Sequence, residues 1–166
     1  MLSTQTDRLA VWSGVAAIVF FFAGFVVAGF VPPISPAISV ANVAQFYQSH
    51  FLNVRIGMLL ILRSGMFMAP FVGLIWSLLR RITGLSSCII YGQLVAGAAN
   101  SLFFFVPAII FSSIAYRPER PPELTHMMND FGWISAILPW PPPFMQSMLI
   151  AIAVLNDKSS SPVFPR

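Results

Sequence analysis

Charge is what this sequence has least of. Its 166 residues include 9 Lys+Arg and 5 Asp+Glu, 14 in all. A soluble domain gives about 25% of its positions to charged residues. A water-soluble monomer is therefore excluded, because so few charges cannot cover its surface. Cysteine is also nearly absent. Cys88 stands alone, which excludes a disulfide framework. The pI near 10 reflects a shortage of acids. The basic residues are scattered rather than grouped, which argues against a nucleic-acid surface. There is no P-loop, no G-x-G-x-x-G and no H-E-x-x-H, so the sequence offers no nucleotide-phosphate or zinc-protease signature. Ser86-Ser87 and Ser112-Ser113 have no local His–Asp partners for a nucleophilic triad.

Apolar side chains fill the space. Hydrophobic residues make up 57% of the chain, with 16 Phe and a mean hydropathy of +0.82. The first apolar run, 9–31, has no charge over 23 residues. At ~1.5 Å per helical residue it crosses a ~30 Å hydrocarbon core. Trp12 near its start suits an interfacial aromatic. Its length, with no small-x-small cleavage site before Pro32-Pro33, reads as a retained span rather than a secretory signal. A second span is predicted over about 55–79, with Arg63 and Pro70 inside it. A third covers about 85–113 and contains Gln93, Asn100 and Pro107. A fourth covers about 131–155 and is interrupted by "PWPPP" at 139–143. The predicted fold is all-α: one polytopic transmembrane helix bundle over 1–166, with four spans and outer loops 32–54 and 114–130.

With four crossings, Arg8, Arg80, Arg81, Lys158 and Arg166 fall on one side. The positive-inside rule makes that side cytoplasmic, so both termini are expected in the cytoplasm and the chain in the plasma (inner) membrane. The 32–54 loop has no Lys or Arg. The next outer loop carries Arg117 and Arg120 beside Glu119, Glu123 and Asp130. Within the first loop Ser39 is an expected N-cap. Val40, Val43, Tyr47 and Phe51 share one helical face, giving a short amphipathic outer helix. It either lies along the membrane surface or packs on the bundle. Pro121-Pro122 is expected to open a second short outer helix running toward Asp130. Small residues four apart mark helix seams: Gly24/Ala28, Gly65/Ala69/Gly73, Gly92/Ala96 and Gly97/Ser101. Gln93 and Asn100 are expected to bond across helices.

The segments "DRLAVWSGV", "GFVPPISPAISVANVAQFY", "RIGMLL", "AYRPERPPELTHMMNDFGW" and "SPVFPR" carry a resemblance over nearly the whole chain. In them it resembles a group of bacterial multi-pass integral membrane proteins to which no activity is assigned. Members of that group continue past the equivalent of Pro165-Arg166 with two further hydrophobic spans. The resemblance implies a membrane location and a C-terminally short member, and it supplies no catalytic residues.

Arg63 is the sharpest site candidate. It lies eight residues into the second span, at a depth where an Arg costs ~2.5–3.5 kcal/mol on insertion scales. It either orients an anionic or carbonyl-bearing ligand, or bonds Asn100, Ser101 and carbonyls, or snorkels outward. The proline break is the second candidate. A helix restarting near Pro142 would point its N-terminal N–H groups into the membrane. Arg63, Asn100, Trp140 and Phe144 together would line an outward-facing pocket for a small apolar or anionic compound or a lipid. The plain alternative is a structural kink. His50 and His126 are weak candidates for a metal, on the outer side near Glu119, Glu123 and Asp130. Met66, Met68, Met145 and Met148, with Cys88, read as core filling rather than a copper site. No cofactor is expected. Three functions remain: a non-enzymatic subunit or scaffold packing with another membrane protein or itself, a binding or transport protein, and a membrane enzyme. The first is preferred because the spans contain no convergent titratable groups.

Overall fold

A computed structural model of the chain describes residues 5–160 and 162–164. Arg166, counted above among the cytoplasmic cations, lies outside them. The described residues are helical and contain no strand. Four helical runs, Gln5–Val27, Val40–Leu79, Ser87–Tyr116 and Pro122–Asn156, are long and apolar enough to cross a membrane. They comprise six helices: α1 (Gln5–Val27), α2 (Val40–Leu79), α3 (Ser87–Asn100), α4 (Leu102–Tyr116), α5 (Pro122–Ile137) and α6 (Pro141–Asn156).

The first span ends earlier than its apolar run. Gly29 has φ +75. Phe30 N–H donates to Phe25 O, and Gly29 N–H to Val26 O, at 3.0 and 3.1 Å. These two bonds form a Schellman C-cap, which only a left-handed residue permits. Residues 28–31 therefore leave the helix, and Phe30 turns into the core with 0% exposure.

The outer amphipathic helix is not a separate element. It runs directly into the second span as one 40-residue helix, bent at His50 (φ −118, ψ 15). Ser39 is its N-cap, accepting from Asn42 N–H at 3.4 Å. Val43 and Tyr47 are fully buried, so this segment packs on the bundle. The second expected outer helix likewise continues, from Pro122 to Ile137, into the first half of the fourth span. Pro122 serves as its first residue, where a missing N–H costs nothing. The third span is jointed at Ser101, ahead of Pro107.

Packing divides along the length of the bundle. We call the end holding both tails and the 80–86 loop the tail end, and the other the far end. The α1–α2 pair forms the most extensive seam, and α2 also packs along α4. Beyond that, α4 pairs with α5 toward the far end, and α3 with α6 toward the tail end. The far half is an aromatic core around Phe30, Tyr47, Phe111 and Trp133. It includes a buried bond from Tyr47 OH to Asn129 Oδ1 at 2.8 Å. The tail half is smaller and aliphatic: Leu79, Ile82 and Ala153, with Val163 and Phe164 folded back onto it. Asp157 anchors that return by accepting from Val163 N–H at 2.8 Å.

Between the halves the third and fourth spans are interrupted at one level, and α2 carries its proline there without breaking. A β-carbon added at Gly65 would lie 2.7 Å from Phe105. One added at Gly97 would lie 2.6 Å from Val72 and 2.5 Å from Gln146 Nε2. Residues 65–72 of α2 thus face 97–105, which puts Pro70 level with the Ser101 joint. Ala136 shares a small apolar cavity with Phe103 and Pro107. The break after Ile137 therefore stands at the same depth.

Candidate functional site

The break in the fourth span follows from its sequence. Prolines 139, 141, 142 and 143 each lack an N–H. In a continuous helix those groups would have served the carbonyls of Ser135, Ile137, Leu138 and Pro139. The chain answers by ending α5 at Ile137 and restarting at Pro141, where proline fits the first turn. Trp140 N–H folds back to Leu138 O at 2.8 Å. Among the described residues no hydrogen bond reaches the carbonyls of Ser135, Ala136, Ile137 or Pro139. The surrounding side chains are outward-facing: Ile137, Leu138, Trp140 and Phe144 are all exposed. Trp140 and Phe144 pack edge to face, 5.6 Å between centroids.

The break lies deep. Phe131 is seven residues before Leu138, about 10 Å along a helix. Asn156 is fifteen residues beyond Pro141. No charged residue lies between Asp130 and Asp157. Hydrocarbon offers no donors, and each unsatisfied backbone group there costs several kcal/mol.

The other sequence candidates are distributed elsewhere. Arg63 is exposed, and its guanidinium carbon stands 6.0 Å above the Phe20 ring of α1. Among the described residues no bond or ring contact joins it to Asn100, Trp140 or Phe144. Asn100 is the half-buried last residue of α3. It thus shares a level with the break, while Arg63 leaves the bundle on the α1 side. Of the two amides expected to bond across helices, Gln93 does so, accepting from Gln146 Nε2 at 3.4 Å. The Nε2 of Gln93 is buried without a partner. His50 stacks on Phe46 at 4.8 Å, with Nδ1 3.1 Å from Phe46 O. His126 Nδ1 lies 3.5 Å from Asp130 Oδ2. Among the described residues no three His, Cys, Asp or Glu side chains converge to hold a metal.

Two arginines to which the sequence assigns no site role have defined work. Arg55 donates from Nε to Ala115 O at 3.0 Å and from Nη2 to Tyr116 O at 2.9 Å. Arg120 donates from Nη1 to Ser113 O at 3.1 Å. Together they cap the C-terminus of α4, whose last carbonyls have no helical donor. The signal available was Arg55 itself, a cation at the mouth of an apolar run.

A helix bundle with four apolar crossings and a belt of exposed Leu, Ile, Val and Phe is the architecture of a multi-pass membrane protein. Comparison with known families, with characterised proteins and with solved structures finds no match to this chain.

Proposed function

We propose that this chain is a non-enzymatic subunit of a membrane assembly, packing laterally against another membrane protein or a second copy of itself. The observation that carries the reading is the exposed break at 138–141. Irregular backbone at membrane depth is tolerated only where protein or a water-filled cavity covers it. A neighbouring helix bringing a Ser, Thr, Asn or Gln donor to these carbonyls, against Trp140 and Phe144, supplies that cover. The reading extends to a bacterial plasma membrane with cytoplasmic tails. Arg8, Arg80, Arg81 and Lys158 share the tail end and support it. Arg55, capping α4 at the far end beside Arg117 and Arg120, narrows that excess.

Photo-crosslinking in native membranes tests the surface. A benzophenone side chain at 140 or 144 is expected to give a protein-sized adduct, identified by mass as a second copy or a distinct subunit. The same group at Val19, exposed on α1, is expected to label only lipid. Lipid adducts alone at 140 and 144 would sink the proposal.

A binding or transport role is the second reading, favoured by a different observation. A cleft of about 460 Å³ lies at the far end, between Pro33 and Ile34 on one side and Asp130, Trp133 and Ile134 on the other. It is largely apolar with a carboxylate at its rim, and it does not include Arg63. If it is used, an Ile134→Trp variant filling it will lose a small compound that native protein keeps through gentle extraction. An unchanged compound inventory removes this reading.

A further inference from the structure

A second far-end cleft, about 320 Å³, runs between α2 and α4. Leu62 and Ile109 form its floor, Ser112, Ser113 and Tyr116 its wall, and Arg120 its outer edge. We propose that it binds an anionic glycerophospholipid, with the headgroup phosphate at the arginines and an acyl chain along Leu62 and Ile109.

The charge balance supports this occupant. Arg55, Arg117 and Arg120 surround the end of α4: Arg55 lies 5.7 Å and Arg117 6.0 Å from the Tyr116 ring. Among the described residues none of the three has a carboxylate within ion-pair distance. The ion pairs seen there are Arg81–Asp7, at the opposite end, and His126–Asp130. The helix C-terminus contributes roughly half a negative charge. Arg55 and Arg120 together bring two positive ones to that terminus. Glu119 and Glu123 stand in the same loop, but neither lies within ion-pair distance of the arginines at the cleft mouth, which stay open to a phosphate.

Donors also remain. Only Nη1 of Arg120 is engaged, on Ser113 O and on Met128 Sδ, so its Nη2 and Nε can still donate. The Ser113 hydroxyl donates to Ile109 O at 2.8 Å, so it gives no donor to the phosphate and can only accept, as from a headgroup hydroxyl.

Vertical order favours a lipid over a free anion. Residues 55 and 62 are seven apart on α2, as are 109 and 116 on α4. Both pairs return to one helical face over about 10 Å. Cations and a tyrosine therefore sit at headgroup level directly above an apolar trough, which is the layering of an interfacial lipid.

Native mass spectrometry of the whole chain in a neutral detergent tests this. Phosphatidylglycerol and phosphatidylcholine of identical acyl chains are added in turn. Phosphatidylglycerol is expected to bind at least about fivefold more tightly, the effect of ~1 kcal/mol for one basic side chain near the surface. Arg120→Gln is expected to reduce it to the phosphatidylcholine level, while Arg80→Gln at the tail end leaves it unchanged. Because Arg120 also caps α4, a second variant keeps both arginines: Ile109→Trp, at an exposed position, blocks the trough alone and is expected to abolish the preference. Equal binding of the two lipids, full phosphatidylglycerol binding in Ile109→Trp, or displacement of the lipid by millimolar inorganic phosphate would each overturn the proposal.

Discussion

Replacing Phe30 with alanine is expected to remove about 3–5 kcal/mol of stability, the range for deleting a buried aromatic side chain. Phe30 belongs to no helix, yet it is fully buried. Its ring lies 4.8 Å from Phe111, 5.2 Å from Trp133, 5.9 Å from Phe46, 6.3 Å from Phe25 and 6.5 Å from Tyr47. Those five partners come from α1, α2, α4 and α5, so one side chain ties together every element of the far half. Within a membrane the solvent-transfer part of the effect shrinks, but the lost packing does not. The hole also cannot close easily, because four helices hold its walls. Phe22→Ala is the matched control. Phe22 is exposed, and its removal is expected to shift stability by less than about 0.5 kcal/mol. Unfolding in a mixed-detergent titration, followed by tryptophan emission, separates the two, since Trp133 reports directly on the Phe30 site. Equal midpoints for the two variants would show that the far-half core is not organised around Phe30.

The position of Phe30 shows where sequence reasoning stopped. The number of spans was legible, because four long apolar runs admit few alternatives. So was the restart of the fourth span, because four prolines in five residues leave a helix no continuous path. Ser39 was legible as a cap. The end of the first span was not. Hydropathy continues through Val31, and only the left-handed Gly29 reveals that the helix has already closed. The join between the outer helix and the second span was missed for the opposite reason. Gln45, Gln48, Ser49 and His50 lower the hydropathy ahead of the second span, so the outer helix reads as a separate element. Nothing in them forbids a continuous helix, however, and the Tyr47–Asn129 bond holds that segment against α5. Arg63 and the break were joined on depth alone. Depth is readable from residue number, whereas the direction a side chain leaves its helix depends on which neighbour packs where.

Small residues give the clearest case, and the largest expected effect on the α1–α2 seam. Gly57→Ala is expected to cost about 3 kcal/mol, the upper end of overpacking penalties. Gly73→Ala is expected to be neutral or stabilising by up to about 1 kcal/mol from helix propensity. Spacing alone ranks the two the other way. Gly73 belongs to a Gly65/Ala69/Gly73 series, while Gly57 is followed four residues later by Ile61. In the bundle a β-carbon at Gly73 meets nothing within 4 Å. At Gly57 it would strike the Gly24 carbonyl and lie 2.7 Å from Ala28 Cβ and 2.8 Å from Ala28 N. The contact is reciprocal, since a β-carbon at Gly24 would lie 2.7 Å from Gly57 O. Backbone and Cβ atoms cannot swing aside as a side-chain tip can, so alanine at 57 must push α1 away from α2. That movement also strains the neighbouring bond from Ser64 Oγ to Ala17 O, 2.7 Å long and buried. The same substitution at two glycines of one helix should therefore act in opposite directions. Midpoints from denaturant titration of the two variants decide it, and a Gly57→Ala protein as stable as Gly73→Ala would mean that α1 and α2 do not meet at Gly24 and Gly57.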